Sequence, residues 1–293
     1  MASLKETKTR IASVKSTLQI TSAMKMVAAA KLHRAQQAIA GMLPYQEKLH
    51  GILQDLLSDG GVRASLDTPL LREGASPRVA VVAFSSNSSL CGGFNATAVK
   101  SFLSELETLE TAGLQRSQID IYPVGRKIAD AARKTGFTIR QDASSLLDKP
   151  AYEPAASLAA RLTESFEKGE VGRIVLLYNH YQSNASQPPV RETYLPVALP
   201  SGAEGALEED LIVEPGKKEV VEALLPKVLL LKIYTVLMDS FAAEQAARTV
   251  AMQLASDNAD ELLDQLTLEY NKRRQQAITS ELLDIVGGSI AKQ

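Results

Sequence analysis

The chain has 293 residues, 45% of them hydrophobic, and a formal charge of -2. That is enough apolar material for a sizeable core and one or two domains, and too little positive charge for a general nucleic-acid binder. A single cysteine, Cys91, excludes an internal disulfide and a cysteine-based zinc site, so a reducing compartment is the default; there is also no apolar run long enough to cross a bilayer and no signal-peptide core.

The N-terminus opens on Ser3-Leu4-Lys5-Glu6, a capping-box pattern, and continues to Ala40 without Gly or Pro. A helix of that length spans roughly 55 to 60 Å. Leu4, Thr7, Ile11, Val14, Leu18, Thr21, Lys25, Ala28 and Leu32 form a stripe with alternating steps of three and four, and Met24 lies beside it. The stripe is coiled-coil-like but weak. The segment is basic, with Lys5, Lys8, Arg10, Lys15, Lys25, Lys31 and Arg34 against Glu6 alone. Such a start also resembles an organelle transit peptide, but the periodicity runs on into Ala35 and Ile39. Gly41 and Pro44 are expected to interrupt the helix. Tyr45 to Leu57 reads as a further helical piece that ends at Asp59-Gly60-Gly61.

Beyond Pro77 the pattern changes. Arg78 to Phe84 is a continuous apolar run that reads as a buried parallel strand. Ser85 to Asn95 is a small polar loop, and Ala96 to Leu109 has helical spacing. Strands at Ile119–Val124, Phe137–Ile139 and Arg173–Tyr178 alternate with helices at Arg126–Lys134 and Pro154–Lys168, which implies βαβ units and a mostly parallel sheet. A strand is expected at Arg191–Leu199, a mobile loop at Gly202–Asp210, and an edge strand at Leu211–Val213. The last helix is expected from near Lys217, and Lys227 to Val286 contains neither Gly nor Pro. That stretch alone makes a helix of roughly 90 Å, too long for a compact domain to cover, so it needs a partner. Gly287-Gly288 is the expected stop.

The chemistry of a catalytic site is not apparent. The Ser85–Asn95 loop lies where α/β proteins place phosphate loops, yet it has no G-x-G-x-x-G, no G-x-x-x-x-G-K-[ST] and no lysine. A tight strand-to-helix turn explains it more simply. Cys91 could pair only with His180, and a small buried thiol is the simpler reading. No His/Asp/Glu group has metal-ligand spacing. The basic run Lys272-Arg273-Arg274-Gln275-Gln276 lies on a helix that its own chain cannot cover, which favours a partner contact.

Two long terminal helices with an α/β domain between them now bring in a resemblance. Arg10-Ile11-Ala12-Ser13-Val14 with Ile20 to Lys31, and Ser240 to Arg248 through Asp257-Asn258-Ala259 to Tyr270–Leu282, closely resemble the gamma subunit of rotary ATP synthases. One departure stands out: the family's Asp-Arg-Gly before Leu-Cys-Gly-Gly is Asn87-Ser88-Ser89 here, which puts in doubt any ion pair the loop makes in relatives. The resemblance implies a long antiparallel coiled coil of residues 1–59 and 216–293, with a Rossmann-like α/β foot at 76–215. It implies a non-enzymatic rotor inside a ring of alpha and beta subunits, touching the epsilon subunit and the c-ring, without cofactor, nucleic acid or membrane insertion. The place implied is the cytoplasmic face of a bacterial inner membrane. By residue-wise transfer, Met24 and Lys25 would meet the catalytic subunit's lever, and Arg248, Arg274, Gln275, Thr279 and Glu281 would contribute to coupling. A Rossmann-like nucleotide-dependent enzyme and a dimerising coiled-coil scaffold remain the alternatives.

Overall fold

A computed structural model describes residues 4–58, 60–66, 68–72, 74–197 and 213–290. Its elements, in chain order, are α1 (Leu4–Ser58), α2 (Gly60–Ser65), β1 (Val79–Phe84), α3 (Phe94–Thr111), β2 (Ile119–Val124), α4 (Arg126–Thr135), β3 (Thr138–Ile139), α5 (Tyr152–Glu167), β4 (Arg173–Asn179), β5 (Pro189–Leu195) and α6 (Lys217–Ile290). Short 3-10 turns lie at Pro69–Leu71, Arg116–Gln118 and Ser144–Leu147. The chain divides into two compact units, Met1–Ala28 with Arg248–Gln293, and Ala29–Ala247.

The larger unit is built on a five-stranded sheet of order β3-β2-β1-β4-β5. β1 pairs in parallel with both β2 and β4, β2 pairs in parallel with β3, and β5 closes one edge antiparallel to β4. Every residue of β1 is buried, as a strand covered on both faces requires. Its side chains alternate between two cores. Ala80, Val82 and Phe84 join Ile174 and Leu176 beneath Leu158 and Leu162 of α5, with Leu53 and Leu57 of α1 and Leu225 and Ile233 of α6. Val79, Val81 and Ala83 join Ile119, Ile121, Val175 and Leu177 beneath Phe102 and Leu106 of α3 and Ile128 of α4. Each large apolar side chain so buried contributes about 1.5–3 kcal/mol relative to exposure. Pro123 is tolerated inside β2 because β3 pairs only with Asp120 and Ile121; beyond them the Ala143 N–H donates to the Pro123 carbonyl at 2.9 Å, which asks no donor of the proline.

Two expectations fail at helix ends. Gly41 and Pro44 do not interrupt α1, which runs on to Ser58 with Pro44 inside it. Packing decides the matter: Leu53, Leu56 and Leu57 are buried in the first core, and burying three leucines outweighs the roughly 3 kcal/mol that an interior proline costs. α1 does end at Ser58, as expected just before Asp59-Gly60-Gly61, with Gly60 opening the short α2, whereas α6 continues through the expected stop Gly287-Gly288 to Ile290. Glycine permits a left-handed cap but does not impose one. The strand expected at Arg191–Leu199 is Pro189–Leu195, and Val213 lies in irregular backbone. The capping residue Ser3, the segment Gly202–Asp210 and Leu211-Ile212 fall outside the described residues.

In the smaller unit α1 and α6 run antiparallel: Thr21 and Ser22 meet Ser256, and Lys25, one turn later, meets Gln253. From Leu4 to Ala28 every position of the expected stripe is buried or half-buried, Thr7, Thr21 and Ala28 most completely. On α6 the matching stripe is Arg248, Met252, Ser256, Ala259, Leu263, Leu266, Tyr270, Arg273 and Ala277, again in steps of three and four.

Candidate partner-binding surface

The carboxyl ends of β1 and β4 form the point where the strand order reverses, the place where open α/β sheets bind ligands. Here that place is filled from within. The backbone N–H groups that open α4 already have acceptors: Arg126 N–H donates to Asn87 Oδ1 at 3.1 Å, Lys127 N–H to the Ser86 carbonyl at 3.3 Å and Ile128 N–H to Ser85 Oγ at 3.0 Å. At α3, Phe94 N–H donates to the Cys91 carbonyl and Ser86 N–H to Asn95 Oδ1. The donors that open α4 are thus already occupied, and a phosphate there would have to displace their acceptors. Cys91 and Phe94 pack against Ala243 and Ala247 of α6, with Tyr181 beside them. The Ser85–Asn95 loop is therefore a seat for a helix.

Cys91 is 1% exposed and receives a hydrogen bond from Asn95 Nδ2 at 3.0 Å. His180 does not approach it; its Nδ1 lies 2.7 Å from Asp239 Oδ2, and the other oxygen of Asp239 accepts Tyr181 N–H. The loop's departure from the family pattern has a structural answer. The neutral Asn87 amide joins three elements, because Nδ2 donates to Asp148 Oδ1 at 2.8 Å and to the Ser144 carbonyl at 2.9 Å while Oδ1 caps α4. No ion pair is needed for that junction. Among the described residues no group of His, Cys, Asp and Glu could hold a metal ion, and no helix is long and apolar enough to cross a membrane.

The residues singled out from the sequence fall into distinct settings. Met24 and Lys25 are half-buried beside the seam of the smaller unit. Lys25 Nζ donates to Gln253 Oε1 at 2.8 Å, and Gln253 Nε2 donates to Asp257 Oδ1 at 2.7 Å. Arg248 is 8% exposed and faces inward, unlike a surface contact residue. Arg274, Gln275, Thr279 and Glu281 are all exposed within about two turns of α6, with Thr279 Oγ1 donating to the Gln275 carbonyl at 2.9 Å. The sequence reading missed the large apolar side chains that turn away from the seam: Ile20, Met26, Val27, Leu254, Leu268, Leu282, Leu283 and Ile285 are between 56% and 71% exposed. Their signal was legible as apolar residues out of phase with the stripe. Charge differs between the two helices too: Lys5, Lys8, Arg10 and Lys15 are exposed on α1, and Asp257, Asp260, Glu261 and Asp264 are exposed on α6.

The chain was compared with known proteins. The family model described as ATP synthase matches residues 3–291. The ATP synthase gamma chain of Bacteroides thetaiotaomicron is 49% identical over 99% of this chain and all of its own length. That of Bacteroides fragilis (strain ATCC 25285) is 51% identical with the same coverage, and that of Flavobacterium johnsoniae is 44% identical over 99% of both chains. Among solved structures, a chain of the Euglena gracilis mitochondrial ATP synthase (OSCP/F1/c-ring) aligns over 98% of this chain and 94% of its own with a TM-score of 0.63. A chain of the Tetrahymena thermophila central stalk/c-ring assembly covers 81% of this chain and 99% of its own with a TM-score of 0.56. Both are 22% identical and speak to the fold alone. Because near-50% identity extends through both end helices and the sheet between them, the chain belongs to the ATP synthase gamma chain family.

Proposed function

We propose that this chain is the central-stalk rotor subunit of an ATP synthase, coupling proton flow through the membrane c-ring to conformational cycling of the catalytic subunits and ATP synthesis, while carrying no catalytic site of its own. One observation carries the reading: the two ends of the chain pair over a seam that mixes polar and small residues with aliphatic ones, while further large apolar side chains such as Ile20, Met26, Leu254 and Leu268 face outward. Such side chains are expected where a partner surrounds the pair. A polar, partly regular seam also suits a shaft that must turn inside its bearing.

The alpha and beta subunits would surround the paired helices, and the epsilon subunit and c-ring would meet the larger unit. Met24 and Lys25 would face the catalytic subunit's lever, where screened attraction between basic α1 and an acidic segment holds without locking. Arg274, Gln275, Thr279 and Glu281 would form a second contact with the ring, and Arg248 would act by holding the helix pair from inside. The complex would sit on the cytoplasmic face of a bacterial inner membrane, with this chain peripheral to it. The enzyme alternative is disfavoured by the filled switch point and the occupied N–H groups at the start of α4.

The test is purification of the tagged chain from its own membranes. Recovery of alpha, beta, epsilon and c subunits, with ATP-driven proton pumping in vesicles that depends on the chain, is expected. Recovery as a free homodimer, or saturable micromolar binding of ATP, NAD or NADP to the purified chain, would overturn the proposal.

A further inference from the structure

Most large apolar side chains of the smaller unit's seam, Leu4, Ile11, Val14, Leu18 and Leu263 among them, are only half-buried and fix its register weakly. Its fully buried apolar members are Ala28, Met252, Ala259 and Leu266, two of them alanines that fit almost any hole. Against this background Thr21 and Ser256 are 9% and 5% exposed, and their hydroxyl oxygens lie 2.9 Å apart. Thr21 Oγ1 also lies 3.1 Å from the Leu18 carbonyl, to which it donates. Its single proton is thus committed, and the bond between the two helices is donated by Ser256. Ser22 Oγ, 3.4 Å from Ser256 Oγ, completes the order as a donor into Ser256. The hydroxyls form a directed chain, Ser22 to Ser256 to Thr21 to the Leu18 carbonyl, in which each bond polarises the next. One turn further on, Lys25, Gln253 and Asp257 repeat the device at the seam's margin.

We propose that this hydroxyl chain is a register lock that fixes how α1 and α6 are offset in the smaller unit and so positions Met24 and Lys25; the second half of the statement rests on the rotor reading above. The physical reason is the identity of the neighbours. A slip by one seam step sets Thr21 opposite Met252 or Ala259, and Ser256 opposite Leu18 or Lys25, so the hydroxyl-to-hydroxyl bond is lost in either direction. Polar residues at single seam positions specify register in other coiled coils for the same reason. Thr21, Ser22 and Ser256 are positioning residues, since they act through the offset they hold.

The test uses the full chain in reassembled complex, where the helix pair is expected to be ordered, with spin labels at Ser16→Cys and Glu261→Cys, two exposed positions at the same level of the antiparallel pair; Cys91 is buried, and complex with the unsubstituted chain is the blank. A single narrow distance is expected for the parent. Thr21→Val with Ser256→Ala keeps the seam's shape and removes the bond. It should add a second population displaced by about 5 Å, one helical turn, with the out-of-register fraction raised about fivefold, the equilibrium equivalent of one net hydrogen bond. Thr21→Ser keeps the hydroxyl and should restore the single distance. A single narrow distance in the apolar pair would overturn the lock. Equal broadening in Thr21→Ser would overturn it too, because the register would then depend on the threonine methyl. Protons pumped per ATP hydrolysed, measured in reassembled complex, should fall in the apolar pair and recover in Thr21→Ser. Normal coupling despite a slipped register would leave the lock standing and sink its link to the rotor reading.

Discussion

Tyr194 illustrates at the residue scale how burial makes stability depend on pH. Its ring is 4% exposed on β5, and its hydroxyl donates to the Leu229 carbonyl of α6 at 3.0 Å. Burial pushes its phenol well above the usual range, as it does for Tyr178 beside Glu192 and for Tyr122, where the Asp120 carboxylate adds to the effect. Because the folded value is raised, the contribution is fully present below about pH 10, where a tyrosine in the unfolded chain titrates. It is lost as pH rises from there toward the folded value. Tyr194→Phe should therefore cost about 1 kcal/mol at neutral pH through the lost hydrogen bond, yet lose less stability than the parent between about pH 10 and 11. Urea titrations across that interval check this; parallel curves for the two chains would show that Tyr194 ionisation does not contribute. Met24 raises a different question, one that concerns function. Half-buried beside the seam, it would become a strongly hydrated cation in Met24→Lys. Under the rotor reading fewer protons should be pumped per ATP hydrolysed while hydrolysis itself is largely retained. An unchanged ratio in inverted vesicles would refute a sliding contact at Met24.

Junctions between elements depend on a few close approaches of the backbone. Gly125, between β2 and α4, has φ of 130°, and a Cβ there would lie 2.4 Å from Ser85 Oγ and 2.6 Å from the Ser85 carbonyl oxygen. Gly113, after α3, has φ of 93° with open space around it. The pair separates two costs that usually come together. Gly113→Ala should lose about 1–2 kcal/mol from the backbone conformation alone. Gly125→Ala adds displacement of the very loop that seats α6, and about 3–4 kcal/mol in total is expected. Equal losses in chemical denaturation would mean that the loop yields freely and is no rigid seat. The seat itself is narrow, since Ala243 is fully buried and Ala247 nearly so against Cys91, Phe94 and Tyr181. Further along the sheet, Asp120 is held by Arg78 at 2.6 Å and Arg140 at 2.9 Å, a buried carboxylate whose two guanidinium partners reach solvent.

For the whole molecule, the contrast is between one unit with two large apolar cores and two smaller clusters and another with a single two-helix seam. Most helical stability comes from packing an amphipathic face, and two helices that bury one stripe each have little of it. Amide exchange in the free chain should be fast across Ala12 to Ala30 and Leu262 to Ile285, and slow at Val79 to Phe84 and Ile174 to Tyr178. Adding the catalytic ring should slow the first two segments far more than the last two, since a partner that binds only the ordered form stabilises it by mass action. Uniform protection that the ring leaves unchanged would contradict the rotor reading.

What the sequence alone determined follows from period and burial. The alternation of apolar strands with amphipathic helices implied the parallel sheet because β1 is covered on both faces, and the three-four stripe from Leu4 to Ala28 picked out the side of α1 that turns inward. The choice of Arg274, Gln275, Thr279 and Glu281 rests on family motifs, with the basic run Lys272–Gln276 as the only local signal beside them. The tertiary structure alone decided the rest. Whether Pro44 ends a helix depends on Leu53, Leu56 and Leu57 finding a core contributed by strands far along the chain. That Arg248 faces inward, that Asn87 caps α4, and that alanines of α6 occupy the switch point are long-range facts. Local periodicity reports which side of an element is apolar; what covers that side depends on free energies of contact between residues distant in sequence, and those exist only once the chain has folded.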